Sequence, residues 1–364
     1  MKKILVLGIS SMILSLSADT TVEKQASDGT ITLLPSSRNE IFELYAECLI
    51  YQPNGSSIYY GAEAIPFDTA IAIPAISPNW EILEISPDYG VGFKVGLAAI
   101  FADMNTKLEI NWERIHTINS GAFSIPTSGN IVGPISDIGP NSYAYANASG
   151  SVNFQFDSAD LLFSQQCCVF ERLYPSFLTG ASFARIKQAL SSTYSSSSNT
   201  TSRTISMNSL FIGAGPKFGV NFDYRIFKNF FFSGICTGGL IIGNSSNSTT
   251  YDSYAPYLSS NNIHEPNSQT TTVPNRTQLI PAAEERLGFS YIGVTDNFAI
   301  KLGVGYTGQV FINAIQSMDM TAPQELPALA PGVVAQAGEY AVGFERTLSN
   351  FILQGPYISF SAEF

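Results

Sequence analysis

The sequence is short of charge. Only 13% of its 364 residues are Asp, Glu, Lys or Arg, about half of the roughly 25% usual in soluble domains. No run of about 20 apolar residues follows residue 18, which excludes a helical membrane protein. Basic clusters are absent and the net charge is −11, so a nucleic-acid partner, whose phosphates need a basic surface, is set aside. There are two histidines and four cysteines, with no P-loop, no paired-Cys zinc pattern and no HExxH. No metal or cofactor is therefore implied.

Aromatic residues and glycine are plentiful: 25 Phe, 17 Tyr, 2 Trp and 29 Gly. A disordered chain would lack the aromatics. A mean hydropathy of only +0.12 alongside so little charge points to β-strands that alternate polar and apolar residues.

The two ends add to this. Met1-Lys2-Lys3, the apolar stretch 4–16 and Ser17-Ala18 have the layout of a secretory signal peptide, 1–18, followed by a periplasmic segment, 19–39. Without residues 1–18, sixteen Lys and Arg face 29 Asp and Glu, a net charge of −13. At the other end Ile358, Phe360, Ala362 and Phe364 share one face of a strand that finishes on an aromatic residue. Bacterial outer-membrane barrels close in this way, and the terminal Phe364 is the expected signal to the barrel assembly machinery.

Period-two alternation recurs through residues 40–364, the expected transmembrane β-barrel. In 210–226, Ile212, Phe218, Val220 and Tyr224 oppose Gly213, Lys217, Asp223 and Arg225; in 298–313, Leu302, Val304, Tyr306 and Ile312 oppose Lys301, Thr307, Gln309 and Asn313. The polar face is rich in Gly and thin in charge, which suits a crowded interior better than a solvated sheet. Short turns at 103–106, 173–176, 228–229 and 295–297 alternate with long polar connectors at 53–89, 118–143, 245–277 and 315–349. Strands are then expected at 41–52, 90–102, 106–117, 145–170, 176–194, 203–226, 229–243, 279–294, 298–314 and 350–364. Segments 57–64 and 338–348 could add two more, so the expectation is an all-β antiparallel barrel of ten to twelve strands, with sixteen as the upper limit. The Asn-x-Ser/Thr triplets at Asn244 and Asn247 read as part of a flexible polar loop.

The segments Trp80-Glu81, Gly92-Phe93-Lys94-Val95-Gly96-Leu97, Lys107-Leu108-Glu109-Ile110-Asn111-Trp112, 180–186, 211–219 and the closing Gly355-Pro356-Tyr357 resemble, in that order, the Legionella major outer membrane protein family. The resemblance runs from about residue 40 to the C-terminus. It implies a Gram-negative outer-membrane barrel, exposed at the surface, with porin activity known among members and no enzyme activity. Outer-membrane lipid and lipopolysaccharide would be its surroundings, and a homo-oligomer is conceivable within them. The adjacent Cys167 and Cys168 could crosslink to neighbouring chains, as family members are thought to do, or remain free thiols; Cys48 is expected to face lipid.

Alternation directs Glu43, Glu47, Lys94, Lys107, Glu109, Glu113, Asp157, Arg185, Lys187, Lys217, Asp223, Arg225, Lys301 and Glu363 toward the lumen. In a wide barrel they would line an aqueous pore and tune its selectivity; in a narrow one they would pair and plug it. The preferred reading is a porin-like barrel passing ions and small hydrophilic solutes, and the alternative is a structural or adhesive surface barrel. A hydrolase would have to rest on His116, expected at a strand end close to Glu113, or on His264 within a loop. Neither has an evident nucleophile.

Overall fold

A computed structural model describes residues 40–55, 58–64, 81–101, 104–125, 131–133, 145–167, 170–195, 202–254, 267–294, 298–324 and 341–364. The signal peptide 1–18 and segment 19–39 expected from the sequence, together with Cys168 and His264, lie outside these residues.

Alternation between a lipid-facing and an inward-facing side makes each segment a strand, and closure removes the edges that a membrane would leave unpaired. Ten antiparallel strands form the closed ring: β1 (Glu40–Gly55), β4 (Gly90–Phe101), β5 (Thr106–Ser124), β7 (Asn147–Gln166), β8 (Leu173–Ser195), β9 (Ser202–Phe227), β10 (Phe230–Tyr254), β11 (Asn267–Val294), β12 (Ala299–Gln324) and β13 (Ala341–Glu363). The ring closes where β1 pairs with β13, Cys48 lying opposite Ile358, and Phe42 and Phe364 exchange backbone hydrogen bonds of 3.1 and 3.0 Å.

The register gives the stagger of the ring. Starting at Thr277 of β11 and stepping from partner to partner through Asn244, Ile212, Arg185, Asp157, Arg114, Phe93, Cys48, Ile358 and Val304, the path returns to β11 at Phe289, twelve residues along. A ten-strand ring with that stagger tilts its strands by about 40°. Its interior is only a little wider than the eight-strand case that side chains fill completely.

Two segments that might have added barrel strands do not. Residues 59–64 form β2 (Tyr59–Ala64), which pairs with β3 (Glu81–Glu84) and β6 (Ile131–Gly133) in a separate small sheet. Residues 341–348 belong to β13 itself. The turn expected at 173–176 instead falls between β7 and β8, because β8 already starts at Leu173.

One end of the barrel carries the tight turn at Lys228-Asn229, where Lys228 adopts φ 30°, and both ends of the ring. An aromatic girdle surrounds this periplasmic end: Phe227 stacks on Phe230 at 4.9 Å, Phe230 meets Tyr291 at 5.4 Å, and Phe298 and Phe364 are exposed. At the opposite end the strands run on. β11 has 28 residues and β9 and β12 have 26 each, against the roughly 9–11 that a tilted strand needs to cross a bilayer. The polar connector expected at 245–277 is therefore largely strand, Asn244 and Asn247 included.

Candidate functional site

The ring encloses a lumen, and the contents of that lumen fall into three layers among the described residues. The periplasmic layer is ionic. Glu43 and Glu47 project from β1, Lys94 from β4, Lys107, Glu109 and Glu113 from β5, Lys217 from β9, and Glu284 and Arg286 from β11. Lys107 Nζ lies 2.7 Å from Glu43 and 3.1 Å from Glu109, whose Oε1 accepts the Tyr45 hydroxyl at 2.6 Å. Lys217 bridges Asp160 at 2.9 Å and Glu284 at 2.7 Å, and Lys94 stands 3.8 Å from Glu284 and 3.9 Å from Glu113. Gln309 donates to Glu113 at 3.0 Å. Arg286 donates to Glu47 at 2.8 Å while its guanidinium lies 3.6 Å from the centre of the Tyr357 ring. Nearer the rim Lys301 pairs with Asp223 at 3.5 Å, and Arg225 donates to the Glu171 carbonyl at 3.1 Å.

Glycine on the inward face makes room for this packing. Tyr45 lies across Gly96 so closely that a Cβ there would sit 2.4 Å from the ring.

Above the charges comes an apolar layer. Phe154, Phe156, Phe311 and Phe351 meet with ring centres 5.2–6.2 Å apart, joined by Phe211, Tyr51, Ile115 and Ile186, all buried. The third layer is the small sheet, which folds into the outer mouth. Its Tyr60 packs against Gly121 and Gly150, and the Tyr60 carbonyl accepts the Tyr194 hydroxyl at 2.5 Å. Ile58 and Ile85 are buried in the same cluster as the Phe layer. Between Glu113, Asp160, Lys217, Glu284 and Gln309 there remains a cavity of about 30 Å³, room for one or two waters.

Eleven of the expected lumenal residues project inward: Glu43, Glu47, Lys94, Lys107, Glu109, Glu113, Lys217, Asp223, Arg225, Lys301 and Glu363. Three do not. Asp157, Arg185 and Lys187 point outward, because the inward positions of β7 and β8 at that height are Phe154, Phe156, Ala184 and Ile186 of the apolar layer. The polar-in, apolar-out rule inverts there: the lumen has become apolar while the outer wall has risen out of the hydrocarbon. Asn313 also faces outward, since an irregularity in the β12–β13 register, with Asn313 at φ 61°, shifts the phase of β12.

Three inward charges of the ionic layer were missed. Asp160 sits among apolar residues on both sides of β7, so alternation gave no sign of its face. Glu284 and Arg286 flank Glu285 in a run of three charges, which hides the period.

His116 lies on the opposite face of β5 from Glu113 and is exposed on the outer wall. Cys48, Cys167 and Cys236 are free and exposed, Cys48 on the outward face. Among the described residues no group of three or more His, Cys, Asp or Glu could hold a metal ion.

A closed antiparallel ring with a girdled apolar outer wall and an ion-paired interior is the geometry of an outer-membrane barrel. The family model described as Legionella pneumophila major outer membrane protein precursor matches residues 34–364, nearly the whole chain. The chain belongs to that family. Like the Legionella major outer membrane protein, it is a protein of the bacterial outer membrane. No curated protein matches it. Among solved structures, it is similar to the outer membrane protease OmpT from Escherichia coli at 11% identity and a TM-score of 0.42, covering 93% of this chain and 100% of that one. The Pseudomonas putida toluene transporter TodX is similar at 10% identity and a TM-score of 0.29, covering 93% and 92%.

Proposed function

We propose that this member of the family is a closed, structural surface barrel, non-catalytic, whose extended outer strands and connections meet the exterior. The observation that carries the reading is the Phe154–Phe156–Phe311–Phe351 layer, which stacks across the lumen between the ionic network and the inserted sheet. An aqueous channel needs a continuous column of water, such as the porin rings of about 16–18 strands leave. In the ten-strand ring, opposite charges 2.7–3.9 Å apart neutralise one another instead of facing a solute.

The porin-like reading keeps one supporting feature, the ring of charged side chains in the periplasmic half of the lumen. Conduction through it would require the aromatic layer and the sheet above it to move. Planar-bilayer recording of the refolded chain separates the two readings, with the fold verified by heat-modifiable gel migration. A silent bilayer is the expected result. Discrete, reproducible steps would overturn the closed barrel and establish a pore, whose selectivity the reversal potential in mixed salt would give.

A further inference from the structure

The residues that leave the lumen collect on the outer wall. Arg114, Asp157 and Arg185 lie directly opposite one another on β5, β7 and β8. Asp157 is 3.2 Å from Arg185 and 3.6 Å from Arg114. One step up the same strands, His116, Gln155 and Lys187 form a second row in register with the first. With strands about 4.8 Å apart and the rows two residues apart along each strand, the six side chains cover roughly 10 by 7 Å.

The height of this patch is fixed by what lies below it. On β5 the outward residues nearer the periplasm are Leu108, Ile110 and Trp112; on β7 they are Leu161 and Phe163; on β8, Phe177 and Phe183, all exposed. Above it the outward positions of β7 and β8 turn to Asn153, Ser151 and Ser191, while β5 keeps one exposed apolar residue, Ile118, before Ser120. The patch therefore marks the upper border of the hydrocarbon on these strands, the level of the headgroups of the outer leaflet. Charges on the lipid face are tolerated at that level and not at mid-bilayer.

Three permanent cations stand against one carboxylate here, in a chain whose net charge is −11. The side chains of Arg114 and Arg185 remain 52% and 38% exposed while touching Asp157. A guanidinium has five donors in a planar fork, and one shared carboxylate uses few of them. The exposed part of each fork is open to a further anion, and paired forks are suited to phosphate oxygens.

We infer that Arg114, Arg185 and Lys187 form a binding site for the phosphorylated headgroup of a glycolipid in the outer leaflet, whose phosphates displace Asp157 from the two guanidinium groups. Trp112 and Phe183, just below, pack against its acyl chains.

The test is titration of the refolded, detergent-solubilised chain with diphosphorylated lipid A, followed by native mass spectrometry. Gel migration shows that each variant keeps its barrel. The Arg114→Gln/Arg185→Gln/Lys187→Gln variant is expected to lose at least tenfold in apparent affinity. Asp157→Asn, which removes the competing anion, is expected to bind severalfold more tightly. Lys228→Gln, which removes a cation at the periplasmic turn, should bind as the parent does. Equal binding by the triple variant would overturn the site, as would weaker binding by Asp157→Asn. Equally tight retention of fully dephosphorylated lipid A would reduce it to apolar contact. Competition by equimolar inorganic phosphate would make it a free-anion site and overturn the glycolipid assignment.

Discussion

Lys217 holds the interior together at one atom. Its ammonium bridges Asp160 and Glu284, all three groups are largely shielded from water, and it neutralises Asp160 while sharing Glu284 with Lys94 at 3.8 Å. Removing one partner of a buried ion pair strands the other charge and typically costs about 3–5 kcal/mol. Lys217→Met is expected to destabilise the barrel by that amount, read as a lower temperature for the heat-modifiable gel shift. Lys301→Met removes a cation whose pair with Asp223 is about one-third exposed on each side. An exposed pair contributes roughly 0–1 kcal/mol, so the midpoint of that variant should hardly move. Lys217 was legible as a lumenal residue because its strand alternates Gly and Lys against Ile, Pro and Phe. Its partners were not, since Asp160 lies between Ala159 and Leu161-Leu162 and Glu284 begins a charged triplet. A period of two cannot be read where both faces have the same polarity.

At the scale of an element, the β10–β11 hairpin shows what composition concealed. Ser, Thr and Asn from 245 to 277 read as a flexible loop, yet most of these residues form cross-strand pairs, with Thr250 and Thr270 hydroxyls 3.1 Å apart and Asn247 donating to the Gln316 carbonyl. Thr is β-branched and favours extended backbone; outside the bilayer neither face of a strand has to be apolar. Membrane-style alternation ends at the headgroups although the ladder goes on. From the surplus over a spanning strand, the hairpin reaches roughly 35 Å beyond the hydrocarbon. A membrane-impermeant maleimide applied to intact cells should therefore label Thr270→Cys in a background with all four native cysteines replaced by Ser. Asn229→Cys, in the periplasmic turn, should stay unlabelled until the outer membrane is permeabilised. The reverse pattern would contradict this orientation.

For the whole molecule, strand number and stagger decide more than any side chain. A ring of ten with a stagger of twelve leaves an interior that Lys, Glu, Tyr and Phe side chains and one inserted sheet can fill. The same sequence pattern in a wider ring would have left water between its walls. Assembly between molecules is proposed through the exposed Cys167, at the periplasmic end of β7, and its neighbour Cys168. Higher-mass bands are expected on non-reducing gels of outer membranes, collapsing with reductant and absent from Cys167→Ser/Cys168→Ser. Migration unaffected by reductant would leave these thiols unlinked.

The sequence by itself determined that this is an all-β chain of the outer membrane, where the turn-side end of each barrel strand lies to within a few residues, and most of the inward charges; the outer ends of β5 and β10–β13 it placed too low. These follow from local alternation, which the bilayer imposes on every strand that crosses it. Only the tertiary structure decided that the ring has ten strands, that residues 59–64 turn inward as part of a cap, and that Asp157, Arg185 and Lys187 face outward. Each of these depends on which strand pairs with which and at what height above the membrane, and a period of two along one strand carries neither.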